Sequence, residues 1–379
     1  EAEEVELDQA DQFDVALMDA DLPDGPGPVD PDPVVDWRDA VLHASPPPAL
    51  TTVGPRFAVV HEGGRVRRYD DLEPDTVHEL EGFAFQTLPE PGELLATFVT
   101  VNDVHFGEEV CGQITGEDIR PTFRSEPGED PYPEVMNRAA VAEMAAVAAD
   151  AVLVKGDLTS NGTVEEYDAF RAVYEPAFGE RLHVVRGNHE SYNHATFAAD
   201  PVQRVDLPGV TLLLIDTSVD GSPAGTVRPE QLDEIDSVAA GAERPVLLFG
   251  HHHVGDRHSR EKADRTFGID IDASDALVAL VARRPAIRGY FAGHTHRNRV
   301  RRFEATAEVP WVEVACVKDF PGAWAEYRVH EAGILQSVRG MSQPEAGVWG
   351  ERTRHMYEGL YEDYAFGSLA DRCFEIGLG

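Results

Sequence analysis

Lysine, cysteine and long apolar runs are all scarce in this 379-residue chain. Cys111, Cys316 and Cys373 are too few, too scattered and odd in number for a disulfide framework, and they lack the paired spacing of a zinc-thiolate site. They read as free thiols in or near a core. No run of about 18 apolar residues occurs, so no membrane-spanning helix is expected. The only lysines are Lys155, Lys262 and Lys318, and arginine carries nearly all the positive charge. With 32 Lys+Arg against 69 Asp+Glu the formal charge is −37. Such a surface repels polyanions, so long DNA or RNA is a poor partner. A small phosphate ester stays compatible, because metal ions would make its pocket locally positive. Two origins of the acidity remain open: solvation in a salty environment, and a GC-rich genome plus an acidic tail. The first residue is Glu and no basic-plus-apolar leader follows, so targeting is not readable. A cytoplasmic location is preferred, with export left open.

Residues 1–33 are rich in Asp, Glu and Pro, with no Lys or Arg before Arg38. They read as a disordered or loosely draped tail. Residues 34–92 read as a small β-rich domain. Arg56 to His61 and Arg65 to Asp70 form two strands about Gly63-Gly64. Leu72-Glu73-Pro74-Asp75-Thr76 turns into another strand, Phe85-Gln86-Thr87-Leu88-Pro89 follows, and Pro89 to Gly92 reads as a linker. Beyond it, in a catalytic-domain candidate spanning 93–379, strands and helices alternate. Strand candidates are 94–102, 151–156, 182–187, 210–216, 245–250 and 287–292. Helical patterns cover 133–149 (Met136, Ala140, Met144 and Val147 in one stripe), 163–177 and 229–239. Thr163 and Glu166 have capping-box spacing. This alternation predicts an α/β layered fold. After 297 a strand pair is expected around 311–317 and 324–338, then a helix near 344–358. The aromatics there (Trp311, Phe320, Trp324, Tyr327, Trp349, Tyr357, Tyr361, Tyr364) read as a second sheet and cap packed on the core. A pocket wall or a dimer interface is the alternative.

Five clusters of metal-ligating residue types each end or follow a short apolar run. The first is Asp103-Val104-His105. In an extended strand end, positions i and i+2 project the same way, so Asp103 and His105 can grip one ion. Asp157, in Gly156-Asp157, follows a buried strand. A carboxylate there is costly unless paired or metal-bound, and its two oxygens can bridge two ions. In Gly187-Asn188-His189-Glu190 the Asn188 carbonyl can ligate a hard ion and His189 can donate a proton or contact phosphate. His251 follows Gly250 and heads a run of three histidines, of which His252 and His253 read as an accidental chelating cluster or a solvated turn. Gly293-His294-Thr295-His296 offers two more imidazoles, suited with the others to Mn, Fe, Zn or Co. Lys155 reads as a lysine snorkelling to the surface, Asp216 as a turn or capping residue, and Glu190 either as a support for His189 or a ligand, or as a solvated acid.

The ordered set Asp-x-His, Gly-Asp, Gly-Asn-His-Glu, Gly-His, Gly-His-x-His resembles the calcineurin-like metallophosphoesterase superfamily over about residues 94–300. The resemblance implies a four-layer α/β/β/α sandwich and a small N-terminal β-rich domain beside it. It also implies two transition-metal ions (Mn, Fe or Zn). Asp103, His105 and His296 would hold one, Asn188, His251 and His294 the other, and Asp157 would bridge them. His189 matches the histidine that contacts substrate or protonates the leaving group. The implied reaction is attack of a metal-activated hydroxide on a small phosphodiester. A phosphomonoesterase on the same scaffold is the alternative, ahead of a non-catalytic scaffold or a nuclease. Leu72 to Thr76 and Phe85 to Pro89 resemble a fibronectin type III domain, with His78 where that family places a tyrosine. Purple acid phosphatases share such an arrangement, but they have a tyrosine ligand three residues after the bridging aspartate, and here that residue is Ser160. The compact layout is more similar to class III cyclic-nucleotide and glycerophosphodiester phosphodiesterases. A homodimer stays open.

Overall fold

The computed structural model describes residues 46–113, 120–255 and 267–378; the acidic segment 1–33 lies outside them. Strands β1 (Ala49–Val53), β2 (Ala58–Glu62) and β3 (Arg65–Tyr69) make an antiparallel sheet, and β4 (Val77–Leu80) pairs with β5 (Phe83–Gln86) as a hairpin. Gly63 turns β2 into β3 at φ +55°, a backbone region that a Cβ disfavours. Leu50, Val53, Ala58, Val60, Phe85 and Leu88 pack against Leu335 and Cys373 from far along the chain. Arg372 donates to the Leu50 and Thr51 carbonyls at 3.0 Å each, fastening the same seam.

The next elements are β6 (Leu94–Val101), α1 (Tyr132–Ala146), β7 (Ala151–Lys155), α2 (Val164–Phe178), β8 (Leu182–Val185), the short α3 (Asn188–Tyr192), β9 (Val202–Leu207) and β10 (Val210–Ile215). A small hairpin, β11 (Ser218–Val219) and β12 (Ser222–Gly225), precedes α4 (Pro229–Ala240), β13 (Val246–Phe249), α5 (Ile271–Arg283) and β14 (Ile287–Ala292). Then come β15 (Arg299–Arg301), β16 (Trp311–Glu313), β17 (Ala323–His330), β18 (Gly333–Gly340), α6 (Pro344–Thr353), α7 (Tyr361–Phe366), α8 (Leu369–Arg372) and β19 (Cys373–Gly377). α2 starts where its sequence signals: the Thr163 hydroxyl accepts from Glu166 N, and the Glu166 carboxylate accepts from Thr163 N.

Two six-stranded sheets result, ordered β19-β18-β17-β6-β7-β8 and β15-β16-β14-β13-β10-β9. The period-2 pattern decides the layers. In β6 and β7, Val99, Val101, Val152 and Val154 face the core under α1 and α2. Their neighbours Ala96, Phe98, Ala151 and Leu153 face the second sheet, meeting Leu212, Leu214, Leu247, Phe249 and Phe291. The other face of that sheet, with Leu213, Ile215, Val246 and Leu248, packs under α4 and α5. The order is therefore helix, sheet, sheet, helix, as the resemblance implied. β6, β7 and β8 run parallel, as do β10, β13, β14 and β16. Parallel strands bring their carboxyl ends to one edge, where open α/β sheets place their ligands.

The region after 297 differs from expectation. β16 joins the second sheet beside β14, whereas residues 324–338 split into the β17–β18 hairpin of the first sheet. The break is visible in the sequence, since Glu331 falls where the alternation of Ala325, Tyr327 and Val329 would place an apolar residue and Gly333 follows it. The aromatics pack inward: Trp324, Trp349, Tyr357 and Tyr361 lie in the core with α1 and α2, Tyr327 between the sheets, and Trp311 under α5.

Candidate metal centre

Loops at the carboxyl ends of β6, β7, β8, β13 and β14 carry the five clusters to one edge. The first two loops zip together by backbone hydrogen bonds: Asp103 N to the Gly156 carbonyl (3.1 Å), Val104 N and His105 N to that of Asp157 (3.0 and 2.9 Å), and Phe106 N to that of Leu158 (3.2 Å). Gly293 N donates to the His251 carbonyl (2.9 Å) and ties the last two loops. Asp103 and His105 do not extend β6, as the i, i+2 argument required. They sit beyond it at φ 54° and 48°. Asp157, His294 and His296 are also left-handed, at φ 52°, 67° and 53°. Each such non-glycine residue costs about 1–2 kcal/mol. Strain of this kind persists only where surrounding bonds over-determine it, and it gathers at functional sites.

The side chains converge. Asp157, fully buried, accepts from His189 N at Oδ1 (3.0 Å) and turns Oδ2 between His251 Nε2 (3.2 Å) and His105 Nε2 (3.5 Å). Asp103 accepts from His294 N (3.0 and 3.1 Å) and faces His296 Nε2 at 3.4 Å. His251 Nε2 also lies 2.9 Å from Asn188 Oδ1, and the Asn188 amide nitrogen donates to the Tyr192 hydroxyl (2.7 Å). His251 Nδ1 is 2.8 Å from the Lys155 carbonyl, a contact that leaves Nε2 as the free lone pair of the neutral ring. Likewise His189 Nδ1 lies 2.7 Å from the Ser160 carbonyl.

Donor atoms gather within 4.8 Å of one another in groups that could hold an ion: Asp103, His105 and His296; Asp103, Asp157 and His251; His105, Asp157 and His189; and His251, His252 and His294. Buried polar atoms normally find partners. Here both ring nitrogens of His105 and His294, His296 Nε2 and Asp157 Oδ2 have none. An unsatisfied set of nitrogens and one carboxylate oxygen, all converging, fits cations of borderline softness.

The electrostatics agree with that chemistry. Burial alone would raise the Asp157 carboxyl, but His251 and His189 hold it well below the usual carboxylate range. Burial would lower His251, yet Asp157 lifts it to about 9. His105, buried and near Lys318 and His189, falls to about 4, so it is neutral and ready to ligate.

Several sequence expectations change. Lys155 does not snorkel: it is fully buried on the inter-sheet face, and its ammonium donates to the Ala292 carbonyl across the sheets at 2.7 Å. Burial lowers it to about 7, against the pull of Asp103. His252 is not in a solvated turn, being buried with Nδ1 2.8 Å from the Thr217 hydroxyl. Glu190 is neither solvated nor in a hydrogen bond with His189. It accepts from Thr159 N and Oγ1 (2.8 and 2.6 Å) and from Gly187 N (2.7 Å), locking two ligand loops together. Asp216 serves the turn it was expected to serve, accepting from Ser218 and pairing with Arg186 at 2.9 Å. Sequence reasoning missed Glu108, Cys316, Lys318 and Asp319, all buried beside His105 and His296. The rarity of lysine was the one signal that could have drawn notice to Lys318. A cavity of about 450 Å³ lined by Tyr132, Trp349, Val348, Glu129 and Arg352 contains none of the converging residues.

Comparison with known proteins adds an independent line. Residues 96–298 match the family described as calcineurin-like phosphoesterase. The chain is 29% identical over 157 residues to the 3',5'-cyclic adenosine monophosphate phosphodiesterase CpdA of Pseudomonas aeruginosa, covering 39% of this chain and 55% of that protein. It is 27% identical over 169 residues to the glycerophosphodiester phosphodiesterase GpdQ of Enterobacter lignolyticus, covering 41% and 58%. The chain thus spans about half the length of the curated relatives it matches. Among solved structures, a dimetal phosphatase from Danio rerio is similar in fold, with a TM-score of 0.54 at 14% identity, over 76% of this chain and all of that one. No described helix is long and apolar enough to cross a membrane.

Proposed function

Because the chain belongs to the calcineurin-like phosphoesterase family, we propose that it is a metal-dependent hydrolase of small phosphodiesters working with two ions. The observation that carries this reading is the buried set of unpartnered donors on His105, Asp157, His294 and His296. In this reading Asp103, His105 and His296 hold one ion, and Asn188, His251 and His294 hold the other. Asp157, whose Oδ2 faces both His105 and His251, lies between the two. When bound, such a pair supplies an activated water and neutralises charge on the phosphoryl oxygens.

The chain's own residues do the rest. Tyr192 takes the Asn188 amide nitrogen and so turns the amide oxygen toward the site. With its Nδ1–H donated to the Ser160 carbonyl, His189 in its imidazolium form carries at Nε2 the proton given to a leaving alkoxide. Glu190 fixes the loop that bears both residues. The diester preference is supported by relatives named as cyclic-nucleotide and glycerophosphodiester phosphodiesterases. The test is turnover of bis(p-nitrophenyl) phosphate against p-nitrophenyl phosphate with Mn(II), Zn(II) and Fe(II), then of cyclic nucleotides and glycerophosphodiesters. Faster monoester turnover would replace the diester reading with a phosphomonoesterase one. No turnover of any ester by metal-loaded protein would remove the enzymatic reading.

A further inference from the structure

Each imidazole presents one nitrogen to the centre, and what stands behind the other nitrogen is not the same for all of them. Behind His251 and His189 are neutral backbone carbonyls. Behind His105 and His296 are carboxylates: Glu108 Oε2 lies 3.7 Å from His105 Nδ1, and Asp319 Oδ2 lies 3.7 Å from His296 Nδ1. One ammonium joins the two carboxylates. Lys318 Nζ sits 2.7 and 2.5 Å from the two Glu108 oxygens and 3.8 Å from Asp319 Oδ2. All three side chains are buried. Asp319 is further fixed at Oδ1 by the Tyr361 hydroxyl (2.5 Å) and the Cys316 thiol (2.8 Å).

We propose that Lys318, Glu108 and Asp319 form one positioning clamp that orients His105 and His296 toward a single ion. The proposal rests on the two-ion reading. At 3.7 Å neither carboxylate yet hydrogen-bonds its imidazole, but each is placed to accept the outer N–H when the ring ligates, and a carboxylate in that role fixes ring angle and tautomer. Two such carboxylates buried together repel each other and need a shared cation. Lys318 supplies it, and Trp349 holds its backbone by donating to the Lys318 carbonyl at 2.8 Å. The clamp serves both histidines that share an ion with Asp103 and neither histidine assigned to the other ion. It therefore acts on one site selectively. A group that merely stabilised the fold would affect both sites alike.

The test titrates metal-stripped full-length protein with Mn(II) and, separately, Zn(II), by calorimetry and equilibrium dialysis. The variants are Lys318→Met, Glu108→Gln and Asp319→Asn. Wild type should bind two equivalents. Each variant should keep one at wild-type affinity and bind the other about 10–100-fold more weakly. Adding His105→Ala to Lys318→Met should deepen the loss at that same site and leave the other equivalent at wild-type affinity, whereas adding His294→Ala should weaken both equivalents, since only the latter touches an independent site. Nitrogen NMR shifts should report a changed His105 and His296 tautomer in the single variants. The two amide variants keep side-chain shape, so they decide the matter if Lys318→Met fails to fold. Folded variants that bind both equivalents as wild type does, or that lose both in parallel, overturn the clamp. A wild type that fails to bind two equivalents overturns the two-ion reading and the clamp with it.

Discussion

The backbone N–H of His189 donates to Asp157 Oδ1 at 3.0 Å, so the candidate proton donor and the carboxylate at the middle of the site are anchored to each other. The bond uses one Asp157 oxygen and leaves Oδ2, which has no hydrogen-bond partner, for the centre. A change at Asp157 is therefore felt at the ions and at the donor loop together, and the two effects need separate measurements.

Asp157→Asn should abolish two-ion occupancy and lower kcat more than about 100-fold, since even outer support of a ligand is worth 10–100-fold. Elemental analysis and turnover of bis(p-nitrophenyl) phosphate check it. A variant retaining both ions and normal turnover would remove Asp157 from the ligand set.

His189→Ala should keep both ions and lose about 10²–10⁴-fold in kcat on diesters with alkyl leaving groups. The loss should be smaller with p-nitrophenolate, which departs without a proton. Equal losses on the two substrate classes would assign His189 to phosphate contact instead of proton donation.

Ion binding should release a proton from His251. Asp157 raises this imidazole to about 9 in the metal-free protein, and only the neutral ring ligates. Apparent affinity for the ion assigned to His251 should then climb by up to about tenfold per pH unit below pH 9 and level off above it. Calorimetry in buffers of different ionisation enthalpy counts the proton, and His251→Ala should lose it.

Lys155→Met should change how stability depends on pH. The unfolded chain holds this proton up to its ordinary value of 10.5, the folded one only to about 7. The unfolded state binds more protons across that window, so Lys155 makes metal-free stability rise with pH, by at most about 1.4 kcal/mol per unit. His251 acts oppositely. Its folded value is raised, so its contribution is fully present below 6.5 and fades as pH climbs through about 9. His296 is raised as well, so metal-free wild type should lose stability from pH 7 to 9, and the variant, without the rising contribution of Lys155, should lose it more steeply. Urea midpoints at pH 7, 8 and 9 test it; equal slopes in wild type and variant would refute the buried charge.

The layer order was legible because apolar runs such as Ala151 to Val154 are short, bounded by turn residues and interleaved with helical periodicity. The ligand set was legible because Asp103, Asp157, Asn188, His251 and His294 each follow such a run. What lies behind the ligands was not. Glu108 sits in an irregular loop, and Lys318 reaches it from 210 residues further along the chain. A local pattern cannot encode that approach. Lys155 was misread for a related reason. Its acceptor, the Ala292 carbonyl, belongs to the other sheet, and sequence alone does not reveal how two sheets register. The β17–β18 hairpin was legible in Glu331 and Gly333, which break the apolar alternation of β17.

Both lysines among the described residues are buried at this one edge, Lys155 fully and Lys318 to 5% exposure. Amine-directed reagents will therefore find neither in the closed protein. Acylation at either position, read by peptide mass mapping over time, becomes a chemical clock for transient opening of the ligand loops. Its rate should fall as ions are added, because bound ions hold those loops shut.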